Sequence, residues 1–353
     1  MTRIERLAAL LEEPLLVAGP PYVLGGQANV RYLTGLQSSN AAVIVEPDAT
    51  ATLYADFRYA ARGREVEGVT FVETARGLLP AISELLAGRR IGFEDAQLPF
   101  SGYRALVDAG VDAVPTSGLV ESLRAVKDRP EIEIMRRGGA LSDEIFGALA
   151  QERFSGRTEI ELGWWVERSF RDAGAEGVSF PTIVAAGETG TSPHAVPGAD
   201  PIATGVLVTV DAGCVLDGYC SDCTRTFAVG EISERLSEIY ALCLDAQLDG
   251  LDAVAPGVRG EDADAAARAV INAAGLGEAF GHGLGHGVGI QIHEAPTLRP
   301  ESKDVLEPGN VVSVEPGIYL PGEGGVRIED LVLVTEDGRE RLTQFSKELI
   351  TVS

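Results

Sequence analysis

The stretch Gly281 to Glu294, GHGLGHGVGIQIHE, carries three of the four histidines of the 353-residue chain, with glycine at every second position from 281 to 289. Five glycines, each about 1 kcal/mol worse than alanine in a helix, exclude a helical zinc-protease HExxH reading; that motif also needs a glutamate where Gly283 stands. An extended segment is expected, with His282, Leu284, His286 and Val288 on one face and a bare glycine face that another backbone or a ligand can approach. The fourth histidine is His194.

Two carboxylate pairs stand in strand-like sequence around this segment. In VLVTVDAGCVLDGYCSDCTRTFAVG, residues 206–230, Asp217-Gly218 is a two-residue hairpin turn between apolar runs. Counting back from the turn pairs Leu216 with Tyr219 and Gly213 with Asp222, so Asp211 and Asp222 share a face one diagonal step apart, roughly 7–8 Å between backbones. The neighbours Val208, Val210 and Ala212 mark a core strand, where an unpaired carboxylate is costly. Two such groups repel unless a cation or proton lies between them. Glu315 and Glu329 repeat the arrangement on two further apolar strands, with PGIYLPGEGG expected to supply the turn. Carboxylates with an imidazole suit Mn²⁺, Co²⁺, Zn²⁺ or Fe²⁺. Four carboxylates exceed the needs of one ion and fit two, roughly 3.5 Å apart. A zinc knuckle on Cys220 and Cys223 lacks a second CxxC, and strand alternation puts those thiols on opposite faces.

The rest of the chain reads as two domains, 1–122 and 123–353. Strand runs at LLVAG, AAVIV, ATLYAD, VTFVE and RIGFE alternate with helical patterns near 58–66, 78–87 and 101–109, which predicts an α/β N-terminal domain. The segment GPPYVLGG at 19–26 lacks both GxGxxG and a following helix pattern and reads as an ordinary turn. Helical sequence then runs to Gly174, with Pro130 in the first turn of one helix and Thr158 with Glu161 as the capping box of the next. Strands returning after Val178, with helices grouped near 233–254 and 259–274, predict an α+β domain on an antiparallel sheet.

Residues 1–125 carry 11 basic and 15 acidic groups, net −4, and residues 126–353 carry 18 and 38, net −20. Such a field disfavours nucleic acid and anionic membranes as partners. Four cysteines in one third of a long chain point to reduced thiols, and no run approaches 18 apolar residues, so a soluble cytoplasmic protein is expected.

Together Asp211, Asp222, His286, Glu315 and Glu329, in VDAG, SDCTRTF, GHGLGHGVG, VEPGIY and VRIED, resemble the pita-bread metallopeptidases, the group of prolidase, aminopeptidase P and methionine aminopeptidase. SPHAVPG around His194, IHE at His293, and RYLTGL and DFRYAAR extend the resemblance over nearly the whole chain. The N-terminal domain is similar to that of the prolidase and aminopeptidase P branch. Creatinase shares the architecture without the metal ligands.

The resemblance implies a creatinase-like N-terminal domain, a catalytic domain with a curved antiparallel sheet, and a homodimer in which one subunit helps close the other's site. It implies two metal ions, Mn²⁺ foremost, bridged by Asp222 and Glu329 and completed by Asp211 on one side and by His286 and Glu315 on the other. A hydroxide between them would attack an Xaa-Pro bond. Glu315 would shuttle the proton, His293 would support the oxyanion, His194 would contact the scissile bond or the leaving imide, His282 would line the proline pocket, and Arg327 would orient carboxylates. Arg299 in HEAPTLRP is a candidate partner for the free carboxylate of a dipeptide, with a surface loop arginine as the other reading, and the compact chain without extra insertions favours an Xaa-Pro dipeptidase over an aminopeptidase P acting on longer peptides. An inactive pita-bread module that binds peptides is the remaining alternative.

Overall fold

The computed structural model describes residues 1–20 and 27–353, so most of the expected turn at 19–26 lies outside the described residues. Two compact units divide between Arg124 and Ala125.

The first unit holds β1 (Leu15–Val17), β2 (Ala41–Val45), β3 (Ala51–Asp56), β4 (Thr70–Thr74), β5 (Arg90–Glu94) and β6 (Asp112–Thr116) in one sheet of order β4-β3-β2-β1-β5-β6. Its pairs β1–β2 and β2–β3 are antiparallel, while β1–β5, β3–β4 and β5–β6 are parallel. Its helices are α1 (Arg3–Ala8), α2 (Ala28–Thr34), α3 (Ala60–Gly63), α4 (Leu78–Leu85), α5 (Phe100–Asp108) and α6 (Leu119–Ala125). Leu16, Ile44, Ile82, Ile91 and Leu106 close the core between sheet and helices. The sequence gives no sign of β6, because Asp112 and Pro115 both weaken the strand pattern. It sits at the sheet edge, where a proline without an N–H is tolerated. The helix expected near 58–66 is only the single turn α3.

The second unit begins with α7 (Arg129–Leu149) and α8 (Glu159–Asp172), whose starts are fixed by capping boxes, Asp128 with Glu131 and Thr158 with Glu161. Then follow β7 (Gly177–Val178), β8 (Ile183–Ala186), β9 (Val206–Ala212), β10 (Cys214–Leu216), β11 (Tyr219–Cys220) and β12 (Cys223–Val229). After α9 (Glu234–Ala253) and α10 (Gly260–Ala273) come β13 (Gly285–Gly287), β14 (Glu294–Leu298), β15 (Val311–Val314), β16 (Gly317–Leu320), β17 (Gly324–Arg327), β18 (Asp330–Thr335), β19 (Gly338–Arg341) and β20 (Thr351–Val352). Two sheets dominate, β20-β12-β9-β8 and β14-β13-β15-β18-β19, antiparallel throughout except for the parallel pair β12–β20. Phe146, Phe170, Val208, Val210 and Phe227 join α7 and α8 to the first of them. Ile239, Cys243, Ala267, Leu284 and Val312 join α9 and α10 to the second.

The segment after β19 is bound into this unit by a buried cation. Arg225 on β12 donates to Asp330 Oδ1 at 2.9 Å, to the Phe345 carbonyl at 2.6 Å and to the Ser346 carbonyl at 2.9 Å. The Ser353 carbonyl accepts from the amides of Phe154 and Ser155. Among the described residues no helix is long and apolar enough to cross a membrane.

Candidate metal centre

Two hairpins deliver the carboxylates, and both open at the level where the carboxylates stand. In the first, Val215 pairs with Cys220 and Asp211 with Thr224, one continuous register that places Asp222 a diagonal step from Asp211, as the count from Asp217-Gly218 predicts. The ladder is interrupted at Gly213 and at Ser221–Asp222. A methyl group on Gly213 would overlap the Ser221 carbonyl, so glycine is what lets the strands close here. In the second, Val311 pairs with Leu333 and Gly317 with Arg327. Glu315 and Glu329 fall in the breaks between β15 and β16 and between β17 and β18, outside the regular strands expected for them. Their amides turn to other segments, Glu315 to the Leu284 carbonyl just before β13 at 2.8 Å and Glu329 to that of Thr224 on β12 at 3.1 Å. Most of PGIYLPGEGG, expected as turn, is paired as β16 and β17.

The histidine ribbon differs from a uniform strand. Only Gly285–Gly287 is strand, with a bulge between His286 and Gly287, and the shared face expected for four alternating residues does not form. Leu284 and Val288 are fully buried, while the rings of His282 and His286 line a cavity. The glycines explain the irregularity: side chains on Gly285 and Gly287 would overlap the carbonyls of Ser313 and Ala295. The bare face is used by neighbouring backbone.

At the cavity floor, Asp211, Asp222 and Glu329 each bring one carboxylate oxygen within 4.8 Å of the others, all three residues buried. Burial pushes the Asp222 carboxyl far above the ordinary carboxylate range, and Glu329, Asp211 and Glu315 push the same way. Glu329 is raised for the same reasons, burial first and then Glu315 and Asp211. Asp211 Oδ1 and Glu329 Oε1 are buried and accept no hydrogen bond from any described residue. Orphaned buried oxygens are costly unless a cation meets them.

His286 completes the pattern. Its Nδ1 lies 3.1 Å from the Gly287 carbonyl and therefore carries the proton, so the bare Nε2 faces Glu315 Oε1 at 3.2 Å and Asp222 Oδ2 at 3.8 Å. A lone pair facing two carboxylates needs a proton or a cation between them. Burial opposes a charged His286, yet Glu315 outweighs it and raises the imidazole above its ordinary value. Glu315, against its own burial, is held down to about 2 by His286 and accepts from Ser313 Oγ at 2.9 Å. This donor set, with hard oxygens, one imidazole and unmatched negative charge, fits divalent metal ions.

Side chains around the floor hold it in place. Arg327, 3 % exposed, donates to Asp211 Oδ2 at 2.6 Å and to Tyr319 Oη at 2.9 Å. Tyr319 Oη lies 2.9 Å from His282 Nε2, and His282 Nδ1 meets the Gly283 carbonyl at 2.8 Å, so the tyrosine hydroxyl donates to a neutral imidazole. Burial lowers the His282 pKa, which favours that neutral form. Thr224 Oγ1 donates to Glu329 Oε2 at 2.7 Å.

The cavity above, about 520 Å³, is lined by His194, Val196, His282, His286, His293 and Arg299 together with Phe180, Ile183, Ile292 and the carboxylates of Asp211, Asp222 and Glu315. His293 meets His286 edge to face, ring centroids 4.3 Å apart. His194 is exposed on the 187–197 loop at the cavity wall. Arg299 is also exposed, and its guanidinium makes no hydrogen bond or ion pair with any described residue. Of the candidate site residues, His194, Asp211, Asp222, His282, His286, His293, Arg299, Glu315 and Arg327 line this one cavity, and Glu329 stands with Asp211 and Asp222 beneath it. Sequence reasoning missed Thr224 and Tyr319. The same hairpin count that pairs Gly213 with Asp222 places Thr224 opposite Asp211, whereas nothing in VEPGIY shows that Tyr319 turns back toward His282.

Comparison with known proteins agrees with this geometry. The model of metallopeptidase family M24 matches residues 133–336, and that of the creatinase/prolidase N-terminal domain matches residues 3–126. The Xaa-Pro dipeptidase of Pyrococcus horikoshii is 34 % identical over 324 residues, 91 % of this chain and 92 % of that protein. The solved Xaa-Pro dipeptidase from Bacillus anthracis superposes with a TM-score of 0.93 at 39 % identity, covering 99 % of each chain. The X-Pro aminopeptidase from Thermotoga maritima superposes with a TM-score of 0.88 at 30 % identity, covering 98 % of this chain and 100 % of that one. The chain belongs to metallopeptidase family M24, with a creatinase/prolidase N-terminal domain ahead of its pita-bread catalytic domain.

Proposed function

We propose that this metallopeptidase is an Xaa-Pro dipeptidase, a hydrolase that releases proline from dipeptides carrying it in the second position. The observation that carries the reading is the buried cluster of Asp211, Asp222 and Glu329, with two oxygens orphaned among the described residues, beneath a cavity lined also by Arg299, whose guanidinium has no partner among the described residues. In this proposal Asp211, Asp222, His286, Glu315 and Glu329 would hold two divalent ions. Bound there, the ions supply Lewis-acid polarisation of the scissile carbonyl and lower the pKa of water toward neutrality.

The chain's own residues do the rest. Glu315, fixed by Ser313, takes a proton from the attacking water and delivers it to the proline nitrogen as it leaves. His293 donates to the developing oxyanion, and His194 meets the scissile bond from the opposite wall. His282, neutral and held by Tyr319, shapes the proline pocket. Arg327 spends its donors on Asp211 and Tyr319, which supports a role in fixing the carboxylate floor more than one in touching substrate. Arg299 pairs the free carboxylate of the dipeptide bidentately, a task its lack of partners among the described residues leaves open to it. On the family resemblance alone, we add Mn²⁺ as the preferred ion, a homodimer as the working assembly and the cytoplasm as the compartment.

The test compares an Xaa-Pro dipeptide with an Xaa-Pro-Yaa tripeptide on wild type and Arg299→Met. The dipeptide should be preferred by wild type, and the substitution should raise its KM at least tenfold while sparing the tripeptide. Preference for the tripeptide by wild type would move the chain to the aminopeptidase P reading. No hydrolysis of either peptide by metal-loaded protein would favour the binding-module reading.

A further inference from the structure

The loop that carries His194 is bracketed at both ends by one side chain that lies outside the cavity. Glu159 is the first residue of α8, one position after the capping Thr158, and is 3 % exposed. Its carboxylate reaches both ends of the loop at 187–197. Oε1 accepts from the Ala186 amide at 2.7 Å, where β8 ends, and from the Thr189 hydroxyl. Oε2 accepts from the Gly198 amide at 2.6 Å, where the loop returns. The carboxylate thus accepts two charge-assisted bonds from backbone amides and one from a hydroxyl, and the amino end of α8 favours its negative charge. Inside the bracket, residues 187–191 form a short 3-10 turn with Gly190 buried; the Ser192 amide donates to the Thr189 carbonyl at 3.2 Å, and the Gly190 carbonyl packs against Gly325 so closely that a methyl group there would overlap it. Pro193 offers its carbonyl to Arg327 Nη1 at 3.3 Å, and Glu188 accepts from the Gly322 amide at 3.1 Å.

We propose that Glu159 is a positioning residue for His194: by tying the two ends of the 187–197 loop to the start of α8, it sets where that imidazole stands over the metal floor. The inference rests on the role given to His194 above. A catalytic group displaced by about 1 Å can cost on the order of 100-fold in rate, so a buried anchor remote from the reacting atoms still registers in turnover. Glu159→Gln keeps the shape and replaces one acceptor oxygen by a donor, which then faces an amide or a hydroxyl that also donates.

The experiment is a double-mutant cycle on the metal-loaded protein: wild type, Glu159→Gln, His194→Ala and the pair, each measured for kcat and KM on an Xaa-Pro dipeptide, bound metal per chain and Tm. Glu159→Gln is expected to lower kcat/KM by about 10- to 100-fold with bound metal unchanged. Added to His194→Ala, it should cost less than about twofold more, because the group it positions is already gone. Thr189→Val, which removes one donor at one end of the loop, should show a smaller loss of the same kind and guards against a folding defect in the Gln variant. Losses that multiply in the double variant, or wild-type turnover in Glu159→Gln, would overturn the inference. Full activity in His194→Ala would instead overturn the role of His194, a failure the cycle separates from the first.

Discussion

Removing one charge from the carboxylate floor should stabilise the metal-stripped protein while destroying its activity. Asp211, Asp222 and Glu329 bring oxygens within 4.8 Å, a separation at which two full charges repel by about 3.5 kcal/mol at an effective dielectric near 20. Protonation relieves the repulsion, but holding a proton at pH 7 on a carboxyl whose ordinary value is 3.8 costs about 4 kcal/mol, which sets the ceiling. Arg327 offsets part of it through its bond to Asp211. Asparagine at 222 keeps the shape without the charge, so unfolding of stripped Asp222→Asn should cost about 1–3 kcal/mol more than that of stripped wild type. For a unit of this size that is a rise in Tm of roughly 5 °C. With Mn²⁺ at a thousand times its Kd the order reverses, because wild type gains about 4 kcal/mol from binding and the variant gains less. The assay is thermal unfolding after chelation and again across a Mn²⁺ titration, alongside dipeptide hydrolysis. A stripped variant no more stable than stripped wild type would refute the view that the floor stores repulsion for a cation to relieve.

Thr224→Val removes the hydroxyl that holds Glu329 Oε2 and should weaken metal affinity by about 10- to 100-fold, read by competition with a chromogenic chelator. Gly285→Ala would drive a methyl group into the Ser313 carbonyl beside His286; we expect loss of activity with at least about 2 kcal/mol of destabilisation, and a fully active variant would contradict the packing described. In the first unit, burial and then the neighbouring Glu121 push the Glu94 carboxyl up to about 8, against Asn29 and Arg124. Its folded value is raised, so its contribution is full below its unfolded value of 4.5 and is lost as pH rises toward 8, with a ceiling of about 5 kcal/mol. Denaturant unfolding of that unit should weaken from pH 5 to 8.5 in wild type and flatten in Glu94→Gln; parallel pH profiles would contradict the shift.

What could be read in advance follows from local rules. The hairpin register around Asp217-Gly218 depends only on a turn type and a count, and it places Asp211, Thr224 and Asp222 correctly. The capping boxes of α7 and α8 are equally local. The breaks at Glu315 and Glu329 are not, since each amide leaves its own hairpin for a segment far away in sequence, and alternation within one strand cannot reveal that. The irregular histidine ribbon has the same origin: its glycines answer to the Ser313 and Ala295 carbonyls, partners that no pattern inside 281–289 names. Glu159 escaped notice because it reads as an ordinary acidic residue in the first turn of a helix, and only the returning loop gives it a task.

The clamp of Arg225 on residues 345–346, with β20 laid along β12, carries a consequence for synthesis. All five proposed ligands have left the ribosome's active centre before residues 345–352 are made, yet the strand that carries Thr224 and follows Asp222 lacks its outer neighbour until then. A nascent chain stalled after Glu329 therefore holds every ligand and an unfinished β12 edge. Capture of metal by the growing polypeptide is expected to be weak and reversible, and to tighten only when the closing segment emerges and docks.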